Sequence, residues 1–335
     1  MTTTTSRTDA APVRPTRFRL IVGYATILGT IPYLALKFAW LCGSEAGITD
    51  PDFARDPSMF ALNLFTAGMD VVAIVLALVF THAWGQRAPA WLVLFPIWVG
   101  TGFLAPIVIG APVIGAGLAV EAGPPADAPR LPLADWVQPV VYASFIWQGL
   151  TLLTAFVLYT RARWPRLYTA RTVPIAGRVR PLIVAGVLLA GFAAGVHLLW
   201  ASGSGLGLPP ELVRTLSGAL VQGLHGAMAL ASVTGAILLG WGGGRFRVPM
   251  PLAWTGAGAM FSWGLWSVLN TVASTALVSG GVLALPLAVG CAQLAGGACL
   301  GLVLVAAARS VLAVPQHQGE AHQEHHGECR DHGDL

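Results

Sequence analysis

Apolar residues run along this chain in eight stretches, at positions 20–41, 58–84, 90–120, 136–160, 181–201, 212–241, 250–278 and 282–308. Each is long enough, at ~1.5 Å of rise per residue, to cross ~30 Å of hydrocarbon. Lipid offers no partner to an unpaired backbone group, and the runs are too long for barrel strands, so all eight are predicted to be helices. Prolines inside them, at Pro32, Pro96, Pro106, Pro112 and Pro286, are tolerable where neighbouring helices satisfy the freed carbonyls. The third run holds three of these, which predicts a helix that is bent by packing or else broken.

Composition agrees with this pattern. Of the 335 residues, 55% are hydrophobic and 10% charged, where a water-soluble domain carries about 25% charged. The few charges are unevenly placed. Fifteen arginines precede the first run, lie between runs two and three or four and five, or follow runs six and eight; Arg55, Arg130 and Arg214 alone lie on the other side. The positive-inside rule then places both termini in the cytoplasm, in a plasma (inner) membrane protein that crosses many times. The net charge of +4 thereby reports topology and gives no reason to expect a nucleic-acid partner. The run ending near Trp40 contains Pro32 and Lys37 and lacks a small-x-small cleavage site, so it is expected to stay as the first helix and not to be removed as a signal peptide.

A pattern from the first run returns in the fifth. Lys37-Phe38-Ala39-Trp40-Leu41-Cys42-Gly43-Ser44 is matched by His197-Leu198-Leu199-Trp200-Ala201-Ser202-Gly203-Ser204, with Gly47 and Gly207 following. Leu20-Ile21-Val22 and Leu182-Ile183-Val184 open the two runs. Runs two and six end in Trp84-Gly85 and Trp241-Gly242, and runs four and eight each carry one glutamine, Gln148 and Gln293. The expected architecture is all-α, with eight transmembrane helices as two tandem four-helix repeats. Four spans per half give the repeats a parallel orientation, related by an axis along the membrane normal. The expected layout is a disordered cytoplasmic tail at 1–18, a first repeat at 19–160, a basic linker at 161–180, a second repeat at 181–310 and a His-rich tail at 311–335.

The basic-x-x-Trp-x-x-Gly arrangement resembles the signature of an uncharacterised bacterial four-span membrane family, in which His or Lys is followed by Trp-Ala and a glycine pair. The copy from His197 to Ser204 matches better, because the first has Leu41-Cys42 where alanine is usual. As a whole the chain resembles uncharacterised eight-span proteins of high-GC Gram-positive bacteria. That resemblance implies the repeat and the fold, and no activity.

Ionisable groups at membrane depth mark function or a buried pair. Counted from the cytoplasmic ends, Lys37 lies ~26 Å up, Asp70 ~21 Å, and His197 and His225 ~24 Å. One polar layer is therefore expected, with a Lys37–Asp70 ion pair in the first half, a His197–His225 pair in the second, and Gln148 and Gln293 as interhelical hydrogen-bond formers or solute ligands. The plainer alternatives are a Lys37 that snorkels to the interface and a His197 that bonds a neighbouring carbonyl. Trp98, Trp147, Trp263 and Trp266 lie deep enough to line a cavity or to pack the core. Two histidines at one depth suggest haem ligation, but the first half offers no equivalent pair, which speaks against it.

The C-terminal tail places His317, His322, His325, His326, Cys329 and His332 among carboxylates. Imidazole and thiol suit a divalent transition metal, although the spacing does not match a structural zinc site. The four cysteines make no disulfide framework. No phosphate loop, HExxH pair, GxSxG elbow or Asp-rich diphosphate motif is present, which argues against an enzyme without excluding one. The reading that follows is a membrane protein that binds or transports an unknown small solute or ion between its halves, with Lys37, Asp70, His197, His225, Gln148 and Gln293 binding solute or proton and protons coupled through Asp70, His197 and His225. An intramembrane enzyme or enzyme subunit acting on a lipid, quinone or haem is the alternative, and a structural or regulatory partner the third. The lipid bilayer is the one certain partner, and an oligomer is compatible with everything above.

Overall fold

The computed structural model describes residues 16–120, 131–208, 215–275, 277 and 283–314. Ten α-helices and no strands occur among the described residues. They are α1 (Arg17–Leu41), α2 (Pro51–Arg55), α3 (Pro57–Thr81), α4 (Ala90–Val120), α5 (Val137–Arg163), α6 (Arg166–Thr169), α7 (Ala176–Ala201), α8 (Leu216–Trp241), α9 (Pro249–Val272) and α10 (Ala284–Ala313). A 3-10 turn, Ala83–Arg87, joins α3 to α4.

Helix starts follow local chemistry. Thr16, Asp56 and Thr215 each accept a hydrogen bond from an amide in the first turn of α1, α3 and α8, and Pro57 and Pro249 stand where a helix has no use for the missing N–H. Bonds from the Ser58 side chain and amide also hold the Asp56 carboxyl below its ordinary pKa. Expected boundaries shift by a few residues. Arg17 and Phe18 belong to α1 and not to the tail, and the expected linker contributes its first three residues to α5 and its last five to α7. Despite Pro96, Pro106 and Pro112, α4 is one continuous helix.

Among the described residues, seven helices are long and apolar enough to cross a membrane: α1, α3, α4, α5, α7, α8 and α10. This is an all-helical multi-pass membrane protein. The remaining long helix, α9, has 24 residues and no charge, but glycine, serine, tryptophan and Asn270 dilute its apolar character. Its packing explains why. Gly256 faces the backbone of α8 at Ser232 and Met228, Gly258 meets Trp98 of α4, and Gly264 meets Leu294 and Gly290 of α10. A helix enclosed by protein on three sides needs small residues for close approach more than it needs apolar bulk for lipid.

Helices α1, α3, α4 and α5 form one bundle, in which α1 packs on α3 and α5, and α4 on α5 and α3. Its core includes Val22, Phe80, Ile97, Leu152 and Tyr159. Helices α7, α8, α9 and α10 form a second, each packing on the next and α10 closing on α7 around Ile183, Leu239, Met260 and Leu300. The bundles join where α4 lies against α9 and α8. There the Trp98 indole donates to Trp254 O (3.1 Å), the Trp254 indole to Thr101 Oγ1 (3.1 Å), and Ser262 Oγ to Val99 O (3.0 Å).

The two copies of the sequence motif fold into the same helix stop. Gly43 and Gly203 take positive φ angles of 86° and 94°. The amides of Ser44 and Ser204 reach back to Ala39 O (2.9 Å) and Leu199 O (3.2 Å), and those of Gly43 and Gly203 to Trp40 O and Trp200 O (both 3.0 Å). This is a Schellman cap, which needs a residue free of Cβ strain at the left-handed position. The indoles of Trp40 and Trp200 then donate to Ala46 O and Leu206 O, at 2.8 Å in each case. Tryptophan, glycine and serine of the motif are thus spent on ending the helix. The basic position one turn earlier, Lys37 or His197, is left to carry chemistry.

Candidate functional site

In the first bundle that position holds an ion pair. Lys37 Nζ donates to Asp70 Oδ2 at 2.7 Å, with the two side chains 1% and 4% exposed. Three helices supply the surroundings. From α5, Gln148 Nε2 donates to Asp70 Oδ1 (3.3 Å) and to Thr30 Oγ1 (3.1 Å). Along α1, Thr30 and Thr26 return their hydroxyls to carbonyls one turn back. The Lys37 ammonium also sits 3.7 Å from the centre of the Tyr33 ring, and Tyr33 packs edge-on against Phe145 of α5. Lys37 does not snorkel. It is fully buried and its charge is matched.

The second bundle builds a different arrangement at the corresponding place. His197 Nδ1 and Gln222 Oε1 of α8 are 2.6 Å apart; an amide oxygen only accepts, so Nδ1 carries the proton. Gln293 of α10 faces the same imidazole, yet Nε2 is buried without a hydrogen bond of good geometry. His225 stacks on His197 with ring centres 5.1 Å apart and planes 19° from parallel. Trp263 of α9 meets His225 edge-on at 5.5 Å, and its indole Nε1 is also buried with no partner. Trp200 closes the far side of His197 at 5.3 Å. Phe103 of α4 and Trp266 extend the aromatic wall across the joint between the bundles.

Six site residues expected from the sequence therefore gather into two groups, Lys37–Asp70–Gln148 and His197–His225–Gln293. No hydrogen bond among the described residues joins them. Each group lies within one bundle, and only the aromatic wall of the second reaches the joint. The expected histidine pair is a stacked contact, whereas the hydrogen bond of His197 goes to Gln222, one turn before His225 on the same face of α8. Trp263, one of the deep tryptophans, and Gln222, an uncharged polar residue at membrane depth, complete the second site, and Thr30 completes the first without having been singled out, because it is an ordinary membrane-helix residue until a partner is known.

Two imidazoles side by side on adjacent helices do not frame a space for haem between axial ligands. The tail residues His317, His322, His325, His326, Cys329 and His332 lie outside the described residues. Trp98 packs the joint, and Trp147, half exposed, donates to Ala25 O at 2.7 Å; neither lines a site. Cys42, Cys291 and Cys299 are free.

Sequence reading also missed Arg19. It serves the charge count but lies buried, its Nε donating to Phe80 O at the C-terminal end of α3 and its guanidinium next to the Gln86 amide.

The chain matches no protein-family model, no curated protein and no solved structure.

Proposed function

We propose that this is an eight-span plasma-membrane protein, built as two parallel four-helix repeats with both termini cytoplasmic, that binds and passes a small neutral solute at the His197–His225–Trp263 layer of its second repeat. Kinship with the four-span family belongs to the same proposal. The shared helix stop and the matching order of helix packing in the two bundles support the repeat. The arginine distribution supports the orientation, and close protein packing around α9 supports its being the eighth span.

One observation carries the functional reading. The first layer satisfies its polar groups, while the second leaves a buried indole N–H without a partner and gives a buried imidazole nitrogen only the Gln293 amide in poor geometry, with His225 next to both. Buried polar groups without partners cost about 1–3 kcal/mol each, so their retention at one place points to a task there. Proton placement gives the site an acceptor at His197 Nε2 and a donor at Trp263 Nε1, and the two ring nitrogens of His225 between them add to that inventory. Helices α7 to α10 carry no Asp, Glu or Lys, and their arginines, Arg178, Arg180 and Arg309, stand 16 or more residues along the helix from His197 or Gln293, so no fixed charge faces the layer. A solute that both donates and accepts hydrogen bonds, such as a small hydroxyl or amide compound, matches that inventory. The ion pair of the first repeat acts as an anchor fixing α1, α3 and α5.

Osmotic swelling of proteoliposomes tests this. Gradients of glycerol and urea are expected to equilibrate faster than in empty liposomes, with iso-osmotic salt gradients unaffected. His197→Phe removes the effect. Salt flux without neutral-solute flux, or swelling unchanged in His197→Phe, contradicts the assignment.

A further inference from the structure

A second binding surface lies on the opposite bundle, starting one residue past Gln148 and running along α5 away from the first polar layer. Gly149, Leu150, Leu153, Thr154, Val157, Leu158 and Arg161 form one stripe of α5, and with Val108 of α4 they line a groove of about 380 Å³. From residue 149 to 161 the stripe runs ~18 Å along the helix, close to the ~15 Å that one leaflet contributes to the hydrocarbon core. Its walls are apolar along that length, since the one hydroxyl, on Thr154, is already given to Leu150 O at 2.6 Å.

The groove ends in a charge. Arg161 is exposed, with its guanidinium 5.5 Å from the centre of the Tyr168 ring, and the ion pairs among the described residues, Lys37–Asp70 and Arg55–Glu45, do not involve it. Nearby arginines are engaged elsewhere. Arg163 donates to Ala88 O and Tyr159, and Arg166 to Val314 O. An apolar trough one leaflet deep, with an uncommitted guanidinium at its polar end, complements a molecule with an acyl chain and an anionic head.

We infer that the α4–α5 groove is a binding site for an anionic glycerophospholipid, its phosphate on Arg161 and one acyl chain along the Leu150–Leu158 stripe. One arginine near an anionic surface is worth about a fivefold preference over a zwitterionic lipid of the same chains. Phosphate alone lacks the chain and is not held.

Full-length protein, reconstituted in nanodiscs with equal amounts of phosphatidylglycerol and phosphatidylcholine of identical chains, is released for native mass spectrometry. The wild type is expected to retain phosphatidylglycerol about fivefold over phosphatidylcholine. Arg161→Gln brings that ratio to one, and Leu153→Trp, which fills the trough, lowers retention of both lipids. Arg178→Gln, an exposed arginine outside the groove, leaves the preference intact. An unchanged ratio in Arg161→Gln overturns the site, as does an equal loss in Arg178→Gln, which makes the preference a property of the whole basic surface. Free phosphate competing as well as the lipid does the same.

Discussion

Asp70→Asn is expected to destabilise the protein by about 3–5 kcal/mol, because it leaves the Lys37 ammonium buried without a counter-charge. Desolvating the pair is already costly, and what repays it is the 2.7 Å contact, the second carboxylate oxygen on Gln148 and the Tyr33 ring under the ammonium. Asparagine keeps the shape and removes the charge, so the residual lysine must lose its proton or draw α1 away from α3. Lys37→Met strands the carboxylate and should cost a similar amount. Removing both charges, in Lys37→Met/Asp70→Leu, is expected to restore stability to within about 1 kcal/mol of the wild type or better, since well-packed apolar replacements of a buried ion pair are often neutral or stabilising. Thermal unfolding in nanodiscs checks all four proteins. A single variant as stable as the wild type, or a double variant no better than the singles, contradicts a charged anchoring pair.

Gly256→Val is the second large effect. A Cβ at Gly256 lands on the Ser232 backbone amide and 2.6 Å from Met228 O, and neither can move without displacing α8. Overpacking usually costs 1–3 kcal/mol, and a backbone obstruction belongs at the upper end or beyond. Valine adds two further methyls to a contact that holds α9 in the second bundle and, through Gly258 and Ser262, against α4. Unfolding temperature should fall by more than for Gly191→Val on α7, where a Cβ meets open space. Equal effects at the two positions would mean that α9 does not pack on α8 as described.

Much of this fold is legible in the sequence, because hydrocarbon thickness and backbone satisfaction leave helix as the sole solution for each apolar run. What pairs with what is less so. Helix α4 is apolar on all sides, so no stripe shows which face meets α9. Gly102, lying on the Gly258 carbonyl, marks that face only once both helices are seen. Lys37 and Asp70 were readable as partners because charges at that depth need each other. His197 was readable as a site residue, but its bond to Gln222 depends on the rotation of α8, which the sequence leaves free. Arg19 enters the sequence reading only as one of the arginines before the first run, and arginines near helix ends usually reach for water. It turns inward because Gly23 lets α1 lie close to Thr81, at the end of α3 where the Phe80 carbonyl waits.

The central claim is that solute reaches the second layer and does not reach the first. Cysteine accessibility in a background lacking Cys42, Cys291, Cys299 and Cys329 tests it most directly. Gly223→Cys stands beside Gln222, and its new side chain meets only Ala201 at 3.9 Å. Ala67→Cys lies one turn before Asp70 on α3, in the first bundle. A membrane-impermeant methanethiosulfonate applied from each side in turn is expected to modify the cysteine at 223 from both faces and leave that at 67 untouched. Modification of both positions, or of neither, contradicts the account.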